Sequence, residues 1–262
     1  MEPGGRDLAD TLSGLGEDLL LLSIRPSDGK ILTFSRISYG LMGSELVRLA
    51  AMGRVSVNKR QITVLNQIPT GDPELDAALT SLASRKPPRP STWVGHPRPG
   101  IREAYLERLV KTGVLRSEPI GRLGRKRWIV PQSRRADQAR DRLDTIAYST
   151  GTVDLAQAAF GGLAHAINLG GYLYPRFADR RVRRRLREVG SGKWTQDVAD
   201  AVSSAADASS AATQAATRAA TDAAMQAAVS ASTSAAVAAA TSAAIAAASS
   251  PPAGETSHHH HH

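Results

Sequence analysis

Between Gly40 and Val55, Leu41, Ser44-Glu45, Val47-Arg48 and Ala51 recur at helical spacing, with Leu46, Leu49, Ala50 and Gly53 on a second side. A helix apolar on most sides belongs in a core, and Gly53 suits a left-handed stop at its end. Arg54-Val55-Ser56-Val57 and Gln61-Ile62-Thr63-Val64 then alternate with period two about Asn58-Lys59-Arg60, which predicts a small hairpin. In Pro69-Thr70-Gly71-Asp72-Pro73, Asp72 is a good N-cap and Pro73 falls in the first turn of the next helix, where proline is tolerated. Ile101 to Val110 reads as a helix with Ile101, Tyr105, Leu106, Leu109 and Val110 turned inward. Gly121 and Gly124 bracket a turn, and Arg127-Trp128-Ile129-Val130 reads as its return strand. The pattern therefore predicts a mainly α fold: a compact helical domain carrying small β-hairpins.

From Asp200 the pattern changes to Ala, Ser and Thr with a period of four, marked by Thr213, Thr217, Thr221, Met225, Val229, Thr233, Val237, Thr241 and Ile245. Alanine favours helix. A four-residue step overshoots the 3.6-residue turn, so this column drifts by about 40° per repeat and offers no fixed face. The expectation is a domain over 1–199, a low-complexity, partly helical tail over 200–257, and an affinity tag at His258–His262. A self-association helix is the competing reading of the tail, since small residues permit close backbone approach. Frequent Ser and Thr and few large apolar side chains argue against a membrane span there.

Charge narrows the function class. The 262 residues carry a formal charge of +9 and no cysteine, which excludes disulfides and cysteine metal sites. Such a surface attracts anionic membranes or nucleic acid. Basic residues dominate from Arg85 to Arg135, and a second run, Arg176, Arg180, Arg181, Arg183, Arg184, Arg185 and Arg187, lies on an expected helix before Gly190. The opening residues lack the pattern of a signal peptide and Leu19–Ile24 is too short to span a bilayer, so a cytoplasmic, reversibly membrane-associated protein is expected. There is no Gly-x-x-x-x-Gly-Lys phosphate loop. His165 sits in an apolar helical stretch and His96 in a proline-rich loop, without visible catalytic partners. The chain is read as a non-enzyme with no cofactor and no metal.

Several of these stretches resemble the Golgi phosphoprotein 3-like family. Leu15-Gly16-Glu17-Asp18-Leu19-Leu20-Leu21-Leu22 is similar to its opening helix. Gly40 to Val55, Pro69-Thr70-Gly71-Asp72 and Glu107 to Leu115 follow in the family's order. Tyr174-Pro175 and Arg181 to Leu186 resemble the end of its bacterial branch, so the resemblance runs from about Leu15 to Val202. It implies an all-α domain with small hairpins and no enzymatic activity. In eukaryotic members it implies binding of phosphatidylinositol 4-phosphate at a membrane, through an aromatic residue and three arginines. Arg102 falls on the last of these arginines. Pro99 falls on the preceding one, with Arg98 one residue off register, and Met42 replaces the third. The aromatic position falls near Thr33, beside Phe34.

The headgroup site expected from this resemblance is thus Arg102, Arg98, Phe34 and Met42. The membrane-contacting hairpin would present Leu123, Arg125, Lys126, Arg127 and Trp128, because tryptophan favours the interface and each cation contributes about 1 kcal/mol near an anionic surface. The expected partner is an anionic phospholipid membrane. Peptide tails of membrane proteins and further copies of the chain are partners the resemblance and the tail permit. A winged-helix nucleic-acid binder and a scaffold are the competing readings. Glu103 and Glu107 on the exposed side of the 101–110 helix speak against DNA phosphates.

Overall fold

A computed structural model of the protein describes residues 4–57, 61–121, 125–131, 134–190 and 214–223. The helices are α1 (Gly4–Thr11), α2 (Leu15–Ser23), α3 (Ile37–Ala51), α4 (Pro73–Ala83), α5 (Pro90–Gly95), α6 (Ile101–Lys111), α7 (Arg134–Tyr148), α8 (Leu155–Ala166), α9 (Leu169–Leu173) and α10 (Arg180–Gly190). Residues 214–223 add a further helix, α11. Two antiparallel hairpins complete the fold: β1 (Val55–Val57) with β2 (Ile62–Val64), and β3 (Arg116–Ile120) with β4 (Arg125–Ile129). The mainly helical expectation with small hairpins is met.

α3 is the hub. It packs against α1, α2, α4, α5, α6 and α8, and nearly all of its residues are buried. That is what its all-round apolar pattern predicts. Gly53 closes it with φ +65° as its N–H reaches the Ala50 carbonyl. α4 begins as predicted: Asp72 accepts from the Glu74 and Leu75 N–H groups and Pro73 occupies the first turn. α8 starts with a reciprocal capping box between Asp154 and Gln157.

The expected break at residue 200 is not where the packing ends. The compact unit runs to Ala224. Within it α11 buries Ala216, Ala219, Ala220 and Ala223, spaced i, i+3, i+4 and i+7, and leaves Arg218 and Asp222 outside. The threonine column does drift, from buried Thr217 to half-buried Thr221. Over ten residues, however, the paired alanines define a face that the column does not. Over these residues the small-residue face is taken up by the chain's own domain.

Glycines make that seat. A Cβ on Gly162 would lie 2.9 Å from the Gly190 Cα and 2.9 Å from the Thr217 hydroxyl, and one on Gly43 would lie 3.5 Å from the Ala216 Cβ. α8 and α10 therefore meet backbone to backbone, and the Thr217 side chain of α11 packs against their glycines. Gly162→Val is expected to destabilise the fold by about 2–3 kcal/mol through overpacking. Gly151→Ala, which points into open space, should stay within about 0.5 kcal/mol of wild type. Urea denaturation midpoints of the two variants check this.

Candidate membrane-headgroup site

The segment joining α2 to α3 builds the site. Its ends are drawn together by the Ile24–Ile31 bridge, and the Arg25 carbonyl accepts from the Gly29 N–H. Gly29, at φ +66°, lies directly on β4: its carbonyl accepts from the Trp128 N–H at 3.3 Å, and a Cβ there would meet the Trp128 carbonyl at 2.4 Å. Only glycine fits this crossing. Further along, Thr33 is buried, its hydroxyl 3.0 Å from the Ser23 hydroxyl, and its carbonyl receives the Arg36 and Ile37 N–H groups that open α3. Tying Thr33 inward turns the next side chain outward, and Phe34 is 59% exposed.

Arg102 comes to Phe34 from α6. Gly100 enters that helix at φ +77°, so Arg102 sits in its first turn, where N–H groups lack helical partners. The guanidinium lies 3.8 Å from the centre of the Phe34 ring, and its Nη1 is 3.5 Å from the Phe34 carbonyl. An arginine stacked on an exposed ring is held in place while its donor edge remains available. Glu103 shares that edge, accepting from Arg102 Nη2 at 2.5 Å and Nε at 3.1 Å. Burial acts to raise the Glu103 pKa, but the Arg102 contacts outweigh it and hold the group below its usual range. A phosphate at Arg102 must therefore compete with Glu103, a residue the sequence reading did not place in the site.

The other two expected headgroup residues lie elsewhere. Met42 is fully buried in α3. Arg98 is clamped onto the equally buried Glu45, with Nη1 2.5 Å from Oε2 and Nη2 2.8 Å from Oε1. Its Nη2 also reaches the Glu74 carbonyl at 3.3 Å, and the Tyr105 hydroxyl donates to Glu45 at 3.3 Å. Arg98 Nη1 also lies 3.7 Å from the Met42 sulfur, so the guanidinium is held on the buried carboxylate and thioether. Of the four, the structure brings a half-buried Arg102 onto the exposed Phe34 ring, and Arg98 against the buried Met42.

The β3–β4 hairpin adjoins the same segment through Gly29. Trp128 is half-buried and packs against the core, so it anchors the hairpin to the domain. Lys126 and Arg127 are exposed, and Arg127 pairs across the strands with Glu118 at 2.9 Å. Leu123 lies outside the described residues, and of Arg125 only the backbone, in β4, is described. Ile120, paired with Arg125 at the end of the ladder, is 48% exposed and is the apolar side chain seen at that end. Lys30 and Arg25 are exposed on the neighbouring segment, both beside Asp28.

His165 is half-buried in α8, and burial together with Arg187 pushes its pKa down. His96 holds the Thr92 carbonyl through Nδ1 at 2.7 Å. Among the described residues no cluster of His, Asp or Glu is placed to hold a metal ion, and no helix is long and apolar enough to cross a membrane. A comparison with curated proteins returned no match. Residues 15–248 match the family described as Golgi phosphoprotein 3 (GPP34), beginning at the first residue of α2 and extending past α11, and the chain belongs to that family.

Proposed function

We propose that this protein is a non-enzymatic peripheral membrane adaptor that binds anionic phospholipid headgroups. The observation that carries the reading is the Arg102 guanidinium stacked 3.8 Å over the exposed Phe34 ring, at the first turn of α6. Stacking fixes the guanidinium plane, and the positive end of the α6 dipole adds potential where a phosphate would sit. Lys30, Lys126 and Arg127, on the two segments joined at Gly29, add long-range attraction. Ile120 offers shallow insertion at the end of the hairpin ladder. Family membership supports the same reading, with phosphatidylinositol 4-phosphate as the headgroup to test first. One stacked arginine opposed by Glu103 supports a weaker site than a cluster of three.

Liposome co-sedimentation tests this with the full chain on phosphatidylcholine vesicles carrying phosphatidylserine, phosphatidylinositol or its 4-phosphate. Arg102→Ala is expected to lower affinity for the phosphorylated headgroup about fivefold or more, since one basic residue is worth about 1 kcal/mol at such a surface. Glu103→Gln should raise it by freeing the donor edge. Unchanged binding in both variants would remove the headgroup site.

A further inference from the structure

Phe34 is not the only exposed phenylalanine under an arginine. Phe177, in the short 3₁₀ turn Phe177–Asp179 that leads into α10, is 74% exposed, and the Arg180 guanidinium lies 3.6 Å from its ring centre. The third phenylalanine of the chain, Phe160, is buried. Exposed Tyr172 and Tyr148 lie on the neighbouring α9 and α7.

α10 divides its arginines by task. Val182, Leu186 and Val189 face the core. Arg183 donates to the Tyr174 and Arg176 carbonyls, and Arg185 donates to the Gly151 carbonyl and the Ser149 hydroxyl. Those two hold the helix against the preceding turn and the α7–α8 connection. Arg180, Arg181, Arg184 and Arg187 are exposed, and among the described residues none of them forms an ion pair. Arg180, Arg184 and Arg187 follow Phe177 at helical spacing and make one outward row. Some arginines elsewhere in this protein are matched with acids, as in Arg25–Asp28, Arg127–Glu118 and Arg140–Asp144, while exposed Arg85, Arg89 and Arg116 form no ion pair among the described residues. On α10 six arginines face one carboxylate, Glu188.

We propose that the Phe177–Arg187 row is a second membrane contact, binding the surface of an anionic bilayer without selecting a headgroup. The row is a ridge on an outward helix face, a shape that meets a lipid surface, whereas single-stranded nucleic acid is tracked by a charged groove with open stacking rings. One face of Phe177 is already covered by Arg180. Exposed aromatic side chains beside arginines match the composition of membrane interfaces. The inference rests on the reading of the protein as a membrane adaptor and extends it to a second, nonspecific surface.

The test uses the full chain with phosphatidylcholine vesicles containing 30% phosphatidylserine. It compares wild type, Arg102→Ala and the triple variant Arg180→Gln, Arg184→Gln, Arg187→Gln. All three changes are at exposed positions, and an unchanged thermal midpoint confirms the fold. At about fivefold per arginine the triple variant should bind these vesicles roughly a hundredfold more weakly, and Arg102→Ala should retain most of its binding to them. Phe177→Trp should show fluorescence quenching by brominated lipid beyond that of wild type. Wild-type binding by the triple variant, with loss only in Arg102→Ala, would overturn this proposal and leave the headgroup site standing. Loss in the triple variant alone would support it, with the headgroup site decided separately on the phosphatidylinositol 4-phosphate vesicles. A triple variant that keeps vesicle binding but loses binding to an oligonucleotide held by wild type would also overturn it. Wild type failing to bind any vesicle would overturn both.

Discussion

Replacing Asp72 by alanine is expected to destabilise the protein by about 3–5 kcal/mol, the cost of leaving buried charge without its partner. Asp72 receives Arg48 Nη2 at 2.8 Å on Oδ2, and Arg108 Nη2 at 2.7 Å and Nη1 at 3.1 Å on Oδ1 and Oδ2. Arg108 Nη1 also reaches Glu17 at 2.9 Å. Arg48 is only 5% exposed, and Asp72 is its ion-pair partner among the described residues. The same carboxylate caps α4 through the Glu74 and Leu75 N–H groups. One side chain thus starts a helix and neutralises two arginines from α3 and α6. Asp72→Asn separates the roles: its amide oxygen preserves the cap, worth about 1 kcal/mol, and removes the charge. Urea denaturation should place Asp72→Asn only slightly above Asp72→Ala in stability. A loss of 1 kcal/mol or less in the alanine variant would show that the cluster is a surface feature of little consequence. Arg108 and Arg48 together outweigh burial and hold the Asp72 pKa down to about 2. The stability this carboxylate confers is therefore complete above its ordinary pKa of 3.8 and is lost as the pH falls toward 2.

Glu45 should give the opposite pH dependence in a separate window. Burial raises its pKa to about 7, against the pull of Arg98 and the Tyr105 hydroxyl. A carboxyl group whose pKa rises on folding binds more protons in the folded chain than in the unfolded one. Its favourable contribution is complete below its ordinary value of 4.5 and declines as the pH rises through about 7. At 1.36 kcal/mol per unit, the decline amounts to about 3 kcal/mol. Glu45→Gln, which keeps an acceptor for Arg98, should flatten the stability profile between pH 5 and 7.5. A wild-type profile that is already flat there would show that Arg98 compensates the buried charge fully.

Much of this architecture was legible in one dimension. The all-round apolar run at Leu41–Ala51 had to be a core helix, and Asp72-Pro73 had to start one, because burial and capping are read from residue type and spacing alone. The ion-pair cluster left a weaker signal: Glu45 and Arg48, three residues apart inside an otherwise apolar helix, require buried partners. Nothing local identifies those partners, since Arg48 meets Asp72 across 24 residues and Arg108 meets Glu17 across 91. The seat of the tail's first described helix was not legible for a related reason. A drifting threonine column excludes a long fixed stripe, but a ten-residue helix needs only the i, i+3, i+4, i+7 alanines, and their seat at Gly43, Gly162 and Gly190 is visible only after folding.

The sequence by itself determined α3 with its glycine stop, the Asp72 start of α4, α6, the two hairpins and the excess of positive charge, all of which follow from short-range spacing and composition. Only the tertiary structure decided which arginines are available. Arg98 and Arg102 stand four residues apart in the same basic segment, yet one is held against a fully buried carboxylate and the other lies over an exposed ring. A charge count cannot separate them, because the free energy of an ionised side chain depends on what faces it across the fold.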